Sequence, residues 1–206
     1  MIDLRTGARV ALAGVAAATV VGGVQRWRER QRAYNEAQQR ARATGRQLVV
    51  VGDPDAGFHT RVLPAYGCGD VCLDIEGCPS CDCSQAVDLV SGRADVPDDS
   101  AVVFVSCVLE YVSDPQAAMR EIERMAGRPE NIFIVAVQPW DLITATFYPG
   151  AQQVVSRAPD GTLRSTPVAT GRKIATAVVL AGLVAAAVGS GRRGRARRRA
   201  EEGRIA

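Results

Sequence analysis

Lysine and histidine are almost missing from this chain of 206 residues: Lys173 is the only lysine and His59 the only histidine. The arginine-for-lysine bias reads as base composition of the coding sequence rather than as function. Basic charge is also missing where a globular core would lie. Residues 47–150 carry five arginines against sixteen acids, a net of −11. Residues 1–46 carry nine arginines against three acids, and residues 151–206 eleven basic residues against three. An acidic middle of this kind is a poor candidate for gripping a phosphate backbone, so no nucleic acid is expected as a partner of the core. No internal repeat is present.

A long apolar run is missing too, or barely present. Val10–Val24 holds fifteen uncharged residues and is followed at once by "QRWRERQR". "IATAVVLAGLVAAAVGSG", 174–191, is flanked by Arg172 and Lys173 before it and "RRGRARRR" after it. A bilayer core needs roughly 20 apolar residues, with about 17 as the lower limit. The second run reaches that limit, and the first does so only with Ala8 and Arg9 included. A buried helix or a cleaved leader is the alternative. The basic tract abutting each run favours a membrane anchor over 1–25 and a second apolar segment over 171–191, with membrane lipids as partners. Small residues four apart (Gly14, Ala18, Gly22; Gly182, Ala186) would let such helices pack closely, within a chain or in a homo-oligomer. The arginines after the first run favour a cytoplasmic middle domain, while the Arg-rich tail disfavours a second crossing, so the second segment either spans or lies in the interface.

Between these ends the patterning is that of an α/β domain. Residues 26–46 have good helix formers and sparse apolar positions, as in a solvated basic linker helix. "QLVVVGD", the run 101–105 and "NIFIVAVQPW" read as apolar, buried strands, "DVCLDI" as a strand that alternates and then runs apolar, and "QAVDLV" as a third, weaker strand. "SDPQAAMREIERMAG" reads as a helix with Ser113 or Asp114 as N-cap, Pro115 at its first position and Gly127 as its stop. Ala118, Ile122 and Met125 form its apolar stripe. Strand, helix, strand in that order implies a small doubly wound parallel sheet. "AQQVVSRAPDGTLRSTPV" adds a terminal hairpin around an Asp-Gly turn, closing a domain over 47–170. An Arg-rich tail, 192–206, follows the second apolar segment.

In open parallel sheets ligands bind beyond the carboxyl ends of the strands. The first strand ends in "GDPDAG" and the second in Asp74, an acid suited to a ribose diol. The stretch "VPDDSAVVFVSCVLEYVSDPQAAMREIERMAGRPENIFIVAV" resembles the second half of class I S-adenosylmethionine-dependent methyltransferases of the small-molecule branch. Pro97, Ser100, Leu109, Glu110, Val112, Asp114, Pro115, Glu121 and Arg124 are in step with it, and the likeness runs over about half the chain. It implies a Rossmann-like fold. It also implies that Gly52, Asp53, Asp55 and Gly57 meet the methionine part of S-adenosylmethionine, that Asp74 holds the ribose and that Asp88 lies near the adenine. Methyl transfer to a small or lipid-like acceptor near a membrane would be the activity. The sequence departs from the family where Pro54 and Val50 replace the middle glycine and the acid of its first loop. Tyr111 likewise replaces a common histidine. The competing reading is a non-catalytic membrane scaffold or interaction protein that keeps the fold and binds zinc through its Cys-rich loop.

Five of the six cysteines lie in "CGDVCLDIEGCPSCDC", 68–83. Cys78, Cys81 and Cys83 form C-x-x-C-x-C, a half-site for zinc whose other ligands would come from Cys68, Cys72 or His59. Disulfides and free thiols are the alternatives, and a cytoplasmic setting favours free thiols. Cys72 and Cys107 read as small core hydrophobes. His59 and Trp140 would sit at the rim of the strand-end site.

Overall fold

The computed structural model describes residues 4–55, 63–136, 151, 153–157 and 163–167. The chain divides into two compact units: Met1–Gly22, Leu142–Tyr148 and Ala169–Ala206 in one, Gly23–Asp141 and Pro149–Val168 in the other. Of the first unit only the start of the N-terminal helix is described. The second holds the sheet.

Helix α1 runs without a break over Leu4–Thr44 and joins the expected anchor and linker into one element. The anchor expected over 1–25 is thereby corrected. Among the described residues no helix is long and apolar enough to cross a membrane. The reason is length: the fifteen residues of Val10–Val24 rise about 22 Å as a helix, against a hydrocarbon core of about 30 Å. The membrane localisation, and the cytoplasmic side deduced from it, fall with the anchor. The second apolar segment, 171–191, and the Arg-rich tail lie outside the described residues.

Nor is the second half of α1 a solvated linker. Arg30, Tyr34, Ala37 and Ala41 are buried along one stripe against the sheet. Apart from the tyrosine, this stripe is built from alanine and an arginine, so its hydrophobic signal in the sequence is faint.

Five parallel strands follow: β1 (Gln47–Val51), β2 (Val71–Asp74), β3 (Ser84–Ala86), β4 (Ala101–Ser106) and β5 (Ile132–Val135). They lie in the order β3-β2-β1-β4-β5, so the chain reverses direction across the sheet between β1 and β4. Val49 pairs with Val71 on one side and Val103 on the other. Alternate residues feed two cores, as in a parallel sheet covered on both faces. Leu48, Val50, Cys72, Val102 and Phe104 meet α1. Val49, Val51, Leu73, Val103 and Val105 meet helix α2, Pro115–Ala126. On the α1 face Tyr34, Tyr66 and Phe104 form an aromatic cluster with ring centroids 5.0–5.7 Å apart. The molecule is therefore an α/β fold whose two described α-helices cover opposite faces.

Helix α2 starts and stops as its sequence dictates. The Asp114 carboxylate accepts from the Gln116 and Ala117 amides, Pro115 stands at the first position, and Gly127 closes the helix at φ 69°. A short 3-10 turn, Pro129–Asn131, leads into β5. The hairpin β6 (Gln153–Arg157) and β7 (Leu163–Pro167) is antiparallel, with Val155 in the α2-side core. Gln153 Nε2 ties it to the Leu109 and Val112 carbonyls at 3.1 and 3.0 Å.

Candidate functional site

The carboxyl ends of β1, β2 and β4 converge around Gly52, which follows β1 at φ 100°. A Cβ there would lie 2.7 Å from Val108 Cγ2 and 3.2 Å from the Ser106 carbonyl, so glycine is what allows the β1 loop to pass beneath the end of β4. The Gly52 amide donates to the Leu73 carbonyl at 2.8 Å. Asp53 follows with its amide on Asp74 Oδ2 at 3.1 Å. The Asp55 amide then closes on Asp53 Oδ1 at 3.0 Å, around Pro54.

The acid at the end of β2 is thus already engaged. Asp74 Oδ1 accepts from the Glu76 amide at 3.3 Å, and its carbonyl accepts from the Val87 amide at 2.9 Å. Asp74 ties the β1 loop, the turn after β2 and the end of β3 together. Asp88 lies beyond β3, in a turn. Its carboxylate accepts from the Ser91 hydroxyl at 2.6 Å and the Val90 amide at 2.9 Å. The Ser91 bond, then the Val90 bond, hold its carboxyl below the usual range. A carboxylate offers about four lone-pair positions, so two remain on each acid for other donors. Gly57 and His59, the other residues expected at this edge, lie outside the described residues, as does Trp140.

Cys107, read from the sequence as a small core hydrophobe, has at this edge a partner that the sequence did not signal. Cys107 follows β4 at φ 54° and is buried, with its amide on the Val135 carbonyl at 2.8 Å. Arg30, brought in by α1, donates from Nη2 to Cys107 Sγ at 3.1 Å. Burial pushes the thiol up, while the charge of Arg30 works the other way. Tyr66 faces the same region, its hydroxyl pushed up to about 12 by burial. A buried thiol held protonated is a poor nucleophile, and Cys107 acts as a structural anchor for α1.

The residues carried by the methyltransferase resemblance also have local work. Arg124 clasps Glu121 through Nη2 at 2.6 Å and Nε at 2.9 Å. It also donates to the Val96 and Ala94 carbonyls at 2.7 and 3.2 Å and pairs with Asp98. Glu121 Oε1 accepts from the Ala94 amide at 2.9 Å. The pair fastens the segment before β4 onto α2. None of these arrangements is specific to methyltransferases, and S-adenosylmethionine has no support here as the cofactor.

The cysteine segment has a different architecture from the free thiols expected. Cys68 bonds Cys81 and Cys72 bonds Cys78, with Cα–Cα separations of 5.7 and 6.3 Å. Cys83 and Cys107 are the free thiols. Paired cysteines are the chemistry of an oxidising compartment. Cys72, on β2, points to the α1 face. The turn Cys78–Cys81, closed by the Cys81 amide on the Cys78 carbonyl at 3.0 Å, brings two more sulfurs to it. Sγ atoms of Cys72, Cys78 and Cys81 lie within 4.8 Å of one another, a spacing that would suit a metal ion once the disulfides are reduced to thiolates. Of the three ligands expected from sequence, Cys78 and Cys81 belong to this cluster. Cys83 stands apart, with Sγ 3.9 and 3.7 Å from the carbonyls of Cys68 and Gly69.

No family model, curated protein or solved structure matches the chain.

Proposed function

We propose that the chain is a non-catalytic scaffold or interaction module on a doubly wound α/β frame, its cysteine-rich edge held by a zinc ion when the thiols are reduced. The observation that carries this reading is the engagement of Asp74. The acid that a ribose would require already bridges the Asp53 and Glu76 amides, one on each oxygen, and fixes three loops at the sheet edge, which gives it a structural role that needs no ligand. Around it, Pro54 stands where a close-approaching glycine would be, and Asp88 is folded into its own turn. Zinc suits the cysteine cluster because the donors are all sulfur, and zinc sites of tetrahedral thiolates are structural.

Calorimetric titration of the full chain with S-adenosylhomocysteine tests the reading. No binding heat is expected at any temperature from folded protein. Micromolar binding abolished by Asp74→Ala would overturn it and restore group transfer to a small acceptor as the function.

A further inference from the structure

We propose that Cys68, Cys72, Cys78 and Cys81 together form a tetrathiolate zinc site in the reduced chain, and that the two disulfides are its oxidised, metal-free form. The inference rests on the zinc reading above. It adds Cys68 as fourth ligand, removes Cys83 and makes occupancy depend on redox state.

The geometry comes from two pieces of backbone. The turn from Cys78 to Cys81 has Pro79 at its second position and sets both sulfurs on one side, as a two-residue spacer between ligands does. The Cys78 amide is fixed by Ser84 Oγ at 2.6 Å, which anchors that turn to the start of β3. The other two ligands flank and occupy β2: Cys72 is directed inward by the pleat, and Cys68 precedes the strand.

With zinc–sulfur bonds of about 2.3 Å, sulfurs on a regular tetrahedron lie about 3.8 Å apart. Cys72, Cys78 and Cys81 already have sulfurs within 4.8 Å of one another. Cys68 is covalently joined to Cys81, one member of that group, and its sulfur must swing in toward Cys72 and Cys78 to complete the tetrahedron. Opening two disulfides into four zinc–sulfur bonds needs side-chain adjustment within that space.

Cys72, Cys78 and Cys81 are buried, which shields the ion from water. Cys68 is half-buried and lines a groove of about 390 Å³ with Tyr34, Arg42, Leu48 and Asp70. That groove gives an ion or an oxidant its route to the sulfurs. Cys83 packs against the same core but directs its Sγ to the Cys68 and Gly69 carbonyls and is not among the clustered sulfurs.

The two states exclude each other because each sulfur has one valence to give. A hydroperoxide serves as the oxidant class. Four thiolates lose four electrons and form two sulfur–sulfur bonds. Two hydroperoxide molecules accept those electrons, break their oxygen–oxygen bonds and each leave as one hydroxide and one alkoxide, a second hydroxide when the oxidant is hydrogen peroxide. The divalent ion departs as its anionic ligands disappear.

The test uses the full chain, reduced without oxygen, either loaded with zinc or chelated. Metal analysis is expected to give one zinc per folded chain. Alkylation followed by peptide mass spectrometry is expected to show Cys68, Cys72, Cys78 and Cys81 protected by zinc but labelled after chelation. Cys83 should be labelled in both. Peroxide is then expected to release the zinc and yield the Cys68–Cys81 and Cys72–Cys78 pairs. Zinc bound with Cys83 protected and Cys68 labelled would overturn the ligand set while leaving the zinc reading intact. No stoichiometric zinc in folded, reduced protein would overturn both. Zinc release with other pairings would sink the redox half.

Discussion

Gly127 shows how one position can join two elements. It closes α2 in the left-handed region, and a Cβ there would run into the Asp99 carboxylate. Asp99 is itself held by Arg46, which donates to its carbonyl at 2.7 Å and to Oδ1 at 2.8 Å. Gly127→Ala should therefore destabilise the fold by about 1–3 kcal/mol, from backbone strain plus the displaced aspartate. Urea denaturation measures it, and a loss under half a kcal/mol would mean the turn relaxes freely. Glu121 carries a pH dependence. The Arg124 guanidinium holds its carboxyl below the ordinary value of 4.5. A depressed carboxyl contributes stability that is present above the unfolded value and lost as pH falls through the folded one. Stability should decline as pH drops below about 4.5, and Glu121→Gln should be less stable at neutral pH with a shallower acid slope. Denaturation midpoints between about pH 3 and 7 would show parallel curves if the pair contributes nothing.

At the scale of elements, α1 and α2 became helices for different reasons. Helix α2 is written locally, in Asp114, Pro115, the Ala118–Ile122–Met125 stripe and Gly127. The core face of α1 is not, because alanine at 37 and 41 and arginine at 30 carry little apolar signal. Tyr34 is its one large anchor, stacked edge-on against Phe104 with centroids 5.6 Å apart. Tyr34→Ala should cost about 3–5 kcal/mol, the range for losing a buried aromatic. It should also loosen α1 from the sheet, read as faster amide exchange in residues 30–44 than in β4. Uniform exchange across both would show that α1 is not a separate cooperative element.

For the whole molecule, the small sheet carries two cross-links at its β2–β3 edge, beside the α1 face. The disulfides close short loops, with sequence separations of 13 and 6. Reduction in the presence of a chelator should lower stability by about 2–4 kcal/mol, and zinc should restore part of it. A thermal melt that ignores the reductant would show that the strands hold this edge unaided.

The sequence alone specified β1, β2, β4, β5, α2 and the parallel α/β class, because contiguous β-branched runs and cap residues act over a few neighbours. Strand β3 is the short, largely exposed Ser84–Ala86 and not the whole of "QAVDLV", and the strand order came from the fold. The sequence also concentrated the sulfurs in one segment and placed acids at the strand ends. What those groups do was decided by the tertiary structure. Asp74 became a backbone brace because the short β1 loop folds its amide onto it, and Cys83 lost its place to Cys72 because the pleat of β2 turns residue 72 toward the cluster. The burial of Arg30 against Cys107 depends on α1 crossing the sheet 77 residues away in sequence, a distance no local pattern spans.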